Sequence, residues 1–294
     1  MRCSTPRRRR ALCALSACGL GALALGALAG PAGAASGSTS TSTPLLTSAT
    51  VSIALKMALP GRAVSTLVAA GQIDFAHQAM ALSVTLPETG PRPHGLAKGR
   101  AHLSGALTFK GEWVGGSAYV TLPASAAALA GGAPDVSIPT TAALRTEITT
   151  ALTQTLVAVT YAKTLLDTLA PSQTQTRVGI RTIDGVKAEG TEVDLSFSQL
   201  LKVVPALSPG MGPSVGTMGH TEIPVTLWVD RQGRLVETVL AQPKSATTWI
   251  AGTVHFTHLD APVSITAPAP DSARPISKGE LAFLAAEDPF GLQS

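Results

Sequence analysis

Ile223-Pro224-Val225-Thr226-Leu227-Trp228-Val229-Asp230-Arg231-Gln232-Gly233-Arg234-Leu235-Val236-Glu237-Thr238-Val239-Leu240 is the stretch from which the architecture can be read. Ile223, Val225, Leu227 and Val229 alternate with Pro224, Thr226 and Trp228, the two-residue period of a strand with one buried face. Asp230 to Gly233 supplies a turn, with Asp230 as its hydrogen-bonding residue, and Leu235 to Leu240 is the returning strand.

The same pattern extends in both directions. Upstream, Val178, Ile180 and Thr182 alternate with Arg177, Gly179 and Arg181, and Asp184-Gly185 turns the chain towards Thr191 to Leu195. Downstream, Thr248 to His258 forms a last strand before a Pro-rich exit at Pro262 to Pro270. Near the start, Val51, Ile53, Leu55, Met57 and Leu59 define one strand, Met80, Leu82, Val84 and Leu86 a second, and Leu103, Leu107 and Phe109 a third. Gly111 to Gly116 then turns the chain into Ala118 to Leu122. Short Gly-containing connections make this opening part an antiparallel meander.

The period changes at Pro139. Leu144, Ile148, Leu152, Leu156, Val159, Leu166 and Leu169 recur at three- and four-residue steps, which predicts a helix of roughly 30 residues ending before Pro171. Its many Thr residues are poor helix formers, so packing on the sheet has to hold it. Phe197, Leu200, Leu201 and Val204 predict a short second helix. The chain therefore reads as an α+β domain over 49–270: a curved antiparallel sheet with a long central helix and a short second helix on its concave face.

Residues 1–34 read as a signal peptide. Arg2 and Arg7 to Arg10 precede an Ala/Leu/Gly run, and Ala32-Gly33-Ala34 is a small-residue cleavage site. Leu15-Ser16-Ala17-Cys18 also fits a lipobox, in which Cys18 would carry the lipid anchor, and an uncleaved membrane anchor is the third alternative. The Ser/Thr-rich stretch 35–48 reads as a flexible tether and 271–294 as a C-terminal tail. Each reading of the leader places the domain outside the cytoplasm, in the envelope or beyond, anchored through Cys18, anchored through an uncleaved leader, or released.

Charge excludes one class of partner. Five of the 22 basic residues lie in the leader, leaving 17 against 18 acidic ones, so no surplus of positive charge remains for nucleic acid. All three cysteines, Cys3, Cys13 and Cys18, are in the leader, so the domain has neither disulfide nor thiol chemistry. Asn is absent while Ala, Gly, Thr and Pro abound, a composition expected of a high-G+C bacterium.

A family resemblance rests on Ile183-Asp184-Gly185-Val186-Lys187 followed by Val193-Asp194-Leu195, on Ile223 to Asp230 with Gly233-Arg234-Leu235, and on Pro262-Val263-Ser264-Ile265-Thr266-Ala267-Pro268. In order and spacing these resemble the LppX/LprG group of actinobacterial lipoproteins, related in fold to the lipoprotein carrier LolA. The resemblance covers the second half of the domain by motif and the first half by pattern. It implies a half-barrel whose helix-roofed concave side takes acyl chains, and hence lipid binding and lipid transport in the cell envelope, with a membrane transporter as a partner. If the long helix roofs a cavity, Leu152, Leu156 and Val159 line it opposite Val225, Leu227 and Val229. Trp228 is read chiefly as a packing residue of the sheet and alternatively as a ligand contact. Met211 and Met218, in the Gly/Pro-rich loop from Ala206 to His220, are lid candidates, because Met side chains re-pack around variable apolar ligands.

No Ser-x-x-Lys, zinc-binding His pair with its Glu, or phosphate loop occurs beyond the leader. His255 and His258 would face opposite sides of a strand and cannot share a metal. The expectation is a monomeric, non-enzymatic binding or carrier protein for lipids or other long apolar molecules, with no catalytic residue, metal or cofactor. A ~16-carbon chain offers on the order of 10 kcal/mol of burial before ordering costs, which suffices without polar anchors. An extracytoplasmic sensor or regulator that binds a protein partner is the alternative, and a hydrolase with an unrecognised site is the third.

Overall fold

The computed structural model describes residues 45–58, 64–86, 92–93, 102–103, 106–130, 132–169, 175–196, 222–242, 247, 249–269 and 272–280. The opening half contributes β1 (Ser48–Ala58), β2 (Ser65–Asp74) and β3 (Ala79–Leu86), then β4 (Arg92–Pro93) and β5 (His102–Leu103), which pair with each other. It continues with β6 (Leu107–Val114), β7 (Ser117–Thr121), helix α1 (Ala124–Ala130) and β8 (Asp135–Ile138). Two helices follow, α2 (Ala142–Thr160) and α3 (Ala162–Leu169). The closing half is β9 (Thr176–Ile183), β10 (Val186–Ser196), β11 (Glu222–Asp230), β12 (Leu235–Leu240), β13 (Trp249–Thr257) and the two-residue β14 (Arg274–Pro275).

Twelve of these strands form one open, curved sheet in the order β14-β8-β7-β6-β3-β2-β1-β13-β12-β11-β10-β9. Every pairing in it is antiparallel except β14 on β8. Apart from β14, each half pairs its strands in chain order, β3 passing to β6 beyond the separate β4–β5 pair, and the two halves meet where β1 pairs with β13, Val51 opposite Phe256 and Ile53 opposite Val254. This is the α+β arrangement of curved antiparallel sheet and helices expected from the sequence.

The two-residue period sorts the sheet into two faces. On the inner face, the rows Ala69–Ile53–Val254 and Met80–Trp113–Ala118 are buried and belong to one apolar cluster with Ala126 of α1, Leu152 and Val159 of α2, and Leu166 of α3. On the outer face of β1, Ser52, Ala54 and Lys56 are exposed. The inner side of the sheet thus carries the main core, while the outer side of β1 faces solvent.

Four features differ from the sequence reading. The helix expected between Pro139 and Pro171 is two helices separated by Tyr161, whose amide still donates to the Val157 carbonyl at 2.9 Å. The β-branched run Val157, Val159 and Thr160 weakens the helix at that point. The strand expected from Leu103 to Phe109 is divided between β5 and β6. β2 carries Ala69, Ala70, Gly71 and Gln72 at its centre, which erases the alternation, and forms because β1 and β3 flank it. The Ala/Gly-rich connection after Pro123 contains α1, with Ala126 and Ala127 buried.

Beyond Pro270 the chain returns to the sheet through β14. Arg274 Nη1 donates to Glu280 Oε2 at 2.9 Å and Nη2 donates to Oε1, while the Ser277 amide donates to Oε2 at 2.8 Å. These bonds, that from Arg274 first, hold the buried Glu280 carboxyl at about 2, against the opposing effect of its burial.

Candidate functional site

The residues expected to line a cavity come from α2 and β11, and the fold puts six of the seven on one face. Leu152, Val159, Val225 and Leu227 are buried in the main apolar cluster, with Leu156 and Val229 half-buried at its margin. α2 lies over β12 and α3 over β11. Trp228 stands apart. It belongs to a second cluster on the outer face with Ile183, Ala188 and Val236, and Arg181, paired with Glu237, lies 4.1 Å from its ring centroid. It covers the sheet from outside, with Arg181 over its ring. Met211, Met218, Cys18 and the short helix from Phe197 fall outside the described residues.

Two hydroxyls in the apolar interior stand out. Thr160 Oγ1, at the end of α2, and Thr238 Oγ1, on β12, are buried without a hydrogen-bond partner among the described residues. Other Thr residues of α2 bond back to the helix, Thr146 to the Ala142 carbonyl and Thr153 to that of Thr149, both at 2.9 Å. Leaving a buried hydroxyl unbonded costs about 1 to 3 kcal/mol. Thr238 lies opposite Leu227, one side-chain pair further in than Val229.

At Val229 the inner face opens to the surface. A groove of about 340 Å³ is bounded by Ile180, Glu189 and Val229 across three neighbouring strands, and by Lys163, Lys187 and Arg231. The register row Ile180–Glu189–Val229–Leu235 grades from edge to core: Ile180 is 53% exposed, Val229 half-buried and Leu235 2% exposed. Both carboxylates here are engaged, Glu189 by Arg177 Nε at 2.7 Å and Asp230 by Arg234 Nε at 2.8 Å. Among the described residues, Lys163, Lys187 and Arg231 have no ion-pair partner. No sequence signal marks this group, since its cations come from a helix, a strand and a turn far apart in the chain.

The polar residues weighed for chemistry take structural positions. Asp230 Oδ1 accepts from the amides of Gln232 at 2.8 Å and Arg234 at 2.9 Å, fixing the turn. His255 lies 3.4 Å from Asp184 on the outer face, and His258 stands past the end of β13 with a positive φ of 48°. Among the described residues no group of three His, Cys, Asp or Glu could hold a metal, and no helix is long and apolar enough to cross a membrane.

No known family profile matches the chain, and no curated protein does. Among solved structures it is similar to the lipoprotein LppX of Mycobacterium tuberculosis, at 12% identity over 75% of this chain and 90% of that one, with a TM-score of 0.37. It is similar also to LprF of Mycobacterium bovis, at 13% identity over 90% of this chain and 100% of that one, with a TM-score of 0.42. A third likeness is to the MucA/MucB complex of Pseudomonas aeruginosa, at 12% identity over 89% of this chain and 59% of that one, with a TM-score of 0.27. The resemblance expected from the sequence motifs is thus found among solved structures, at low identity.

Proposed function

We infer that this protein is an exported, non-enzymatic binding or carrier protein for lipids or other long apolar molecules of the bacterial envelope. The observation that supports this reading is the continuous apolar inner face of the twelve-stranded sheet, with Leu156 and Val229 half-buried at the margin of its cluster, where a groove of about 340 Å³ opens. An acyl chain is the kind of occupant such a lining selects, because it gains affinity from distributed apolar contact and asks for few polar partners. The orphan hydroxyls of Thr160 and Thr238 suit the ester or carboxyl oxygens of such a molecule. The leader delivers the domain to the envelope, anchored through Cys18 or released after Ala34, and a membrane transporter would supply or receive the cargo.

Leu156 tests the reading, being half-buried at the margin of the cluster. In a filled core Leu156→Trp overpacks and costs about 1 to 3 kcal/mol. In a carrier the delipidated variant melts like the wild type but takes up less lipid. Native mass spectrometry with lipid extraction, on protein purified from its own host, should show noncovalent lipid in the wild type and a depleted fraction in the variant. Lipid-free wild-type protein together with a large stability loss in the variant would refute the reading.

A further inference from the structure

We propose that the groove bounded by Lys163, Lys187 and Arg231 binds the phosphate headgroup of an amphiphile whose chain enters the inner face past Val229. The proposal rests on the carrier reading above and adds the ligand's polar class.

Three observations carry it. The groove's two carboxylates are neutralised from within, Glu189 by Arg177 and Asp230 by Arg234, whereas its three cations are exposed and unpaired among the described residues. The uncompensated charge is therefore positive, although the chain beyond its leader carries a slight acidic excess. Three cations from three different elements border one concavity, and a volume of about 340 Å³ is ample for a phosphate with its first shell of donors. Finally, the row from Ile180 through Val229 to Leu235 leads from that basic rim into the core without leaving the inner face. A ligand lying along it would meet ammonium and guanidinium donors first and apolar side chains afterwards. Phosphate suits such a rim, because two Lys and one Arg offer several charge-assisted hydrogen bonds to its three terminal oxygens.

Isothermal titration calorimetry of the full chain with dodecyl phosphate and with dodecanol separates the headgroup from the chain. The expected result is at least tenfold tighter binding of dodecyl phosphate, a preference that shrinks as salt is raised. The variant K163Q/K187Q/R231Q should bind both molecules with the affinity the wild type shows for dodecanol. Its melting temperature should match the wild type, since all three side chains are exposed; if it fails to fold, Lys187→Gln alone should lose part of the preference. Equal binding of the two molecules by the wild type would overturn the headgroup proposal and leave the carrier reading intact. A preference that survives in the triple variant would also overturn it. Displacement of dodecyl phosphate by an equal concentration of inorganic phosphate would overturn it in favour of a free-anion site. Failure of the wild type to bind either amphiphile would overturn both readings.

Discussion

The indole of Trp228 lies against Gly190 on the neighbouring strand, so close that a methyl group at position 190 would sit 2.7 Å from its Cζ3. The pair closes the outer face of the sheet where β10 meets β11. Gly190→Ala should therefore push the ring away from Ile183 and Val236 and cost about 1 to 3 kcal/mol. In a double-mutant cycle, Trp228→Leu should recover part of that loss, because the smaller side chain removes the overlap. Urea unfolding midpoints of the four proteins decide it, and simple additivity would show that the ring does not press on position 190.

The Arg274–Glu280 pair predicts an acid transition. Glu280 titrates at about 2 when folded, below the ordinary 4.5, so its stabilisation is complete above pH 4.5 and fades as the pH falls from there towards 2. Glu280→Gln should lose about 2 kcal/mol at pH 7, as expected for hydrogen bonds to a charged group. The difference from the wild type should narrow steadily between pH 4.5 and 2. Thermal melts at pH 7, 4 and 2.5 measure it, and a gap independent of pH would show that charge is not what holds the segment.

Glu112 carries the opposite sign. Burial first, and the neighbouring Asp135 second, raise its pKa against the weaker pull of Lys110, so the charged carboxylate is less well accommodated in the folded protein than in the unfolded chain. Glu112→Gln should then be the more stable protein at neutral pH, by about 0.5 kcal/mol or less. Below the carboxylate range the two should melt alike. Greater stability of the wild type at pH 7 would contradict the assignment.

Asp230 separates a structural carboxylate from a chemical one. It is buried, accepts two backbone amides and binds Arg234, which also reaches Asp260 at 2.8 Å. Asp230→Ala should destabilise by about 2 to 4 kcal/mol, since it strands buried donors and a partner charge. Asp230→Asn, which keeps an acceptor, should lose less and should bind dodecanol with unchanged affinity. Loss of binding in a well-folded Asn variant would assign this carboxylate a direct part in function.

Much of the closing half was legible because its signals are local. Asp184-Gly185 turns with φ of 46° and 81°, as a two-residue hairpin demands, and Ile223 to Val229 keep their period through the whole of β11. β2 was not legible, since its identity comes from its neighbours. Nor was the basic groove: Lys163 and Arg231 acquire a common surface only once α3 is laid on β11. The alternation of Val225, Leu227 and Val229 with Trp228 already sets the indole on the opposite side of β11 from the apolar lining, and what the sequence does not carry is the outer cluster that receives it.

The seam between β1 and β13 has a consequence for biogenesis. Val51 cannot meet Phe256 until nearly the whole domain has been synthesised, so the central strand of the sheet spends most of that time without its second neighbour. Closing a loop of about 200 residues costs about 3 kcal/mol more chain entropy than closing a ten-residue hairpin. Each meander can assemble from local contacts, whereas their junction is late and long-range, which makes its formation the slow step. Until it closes, Val51, Ile53 and Leu55 stand on an open edge, available to any other extended chain.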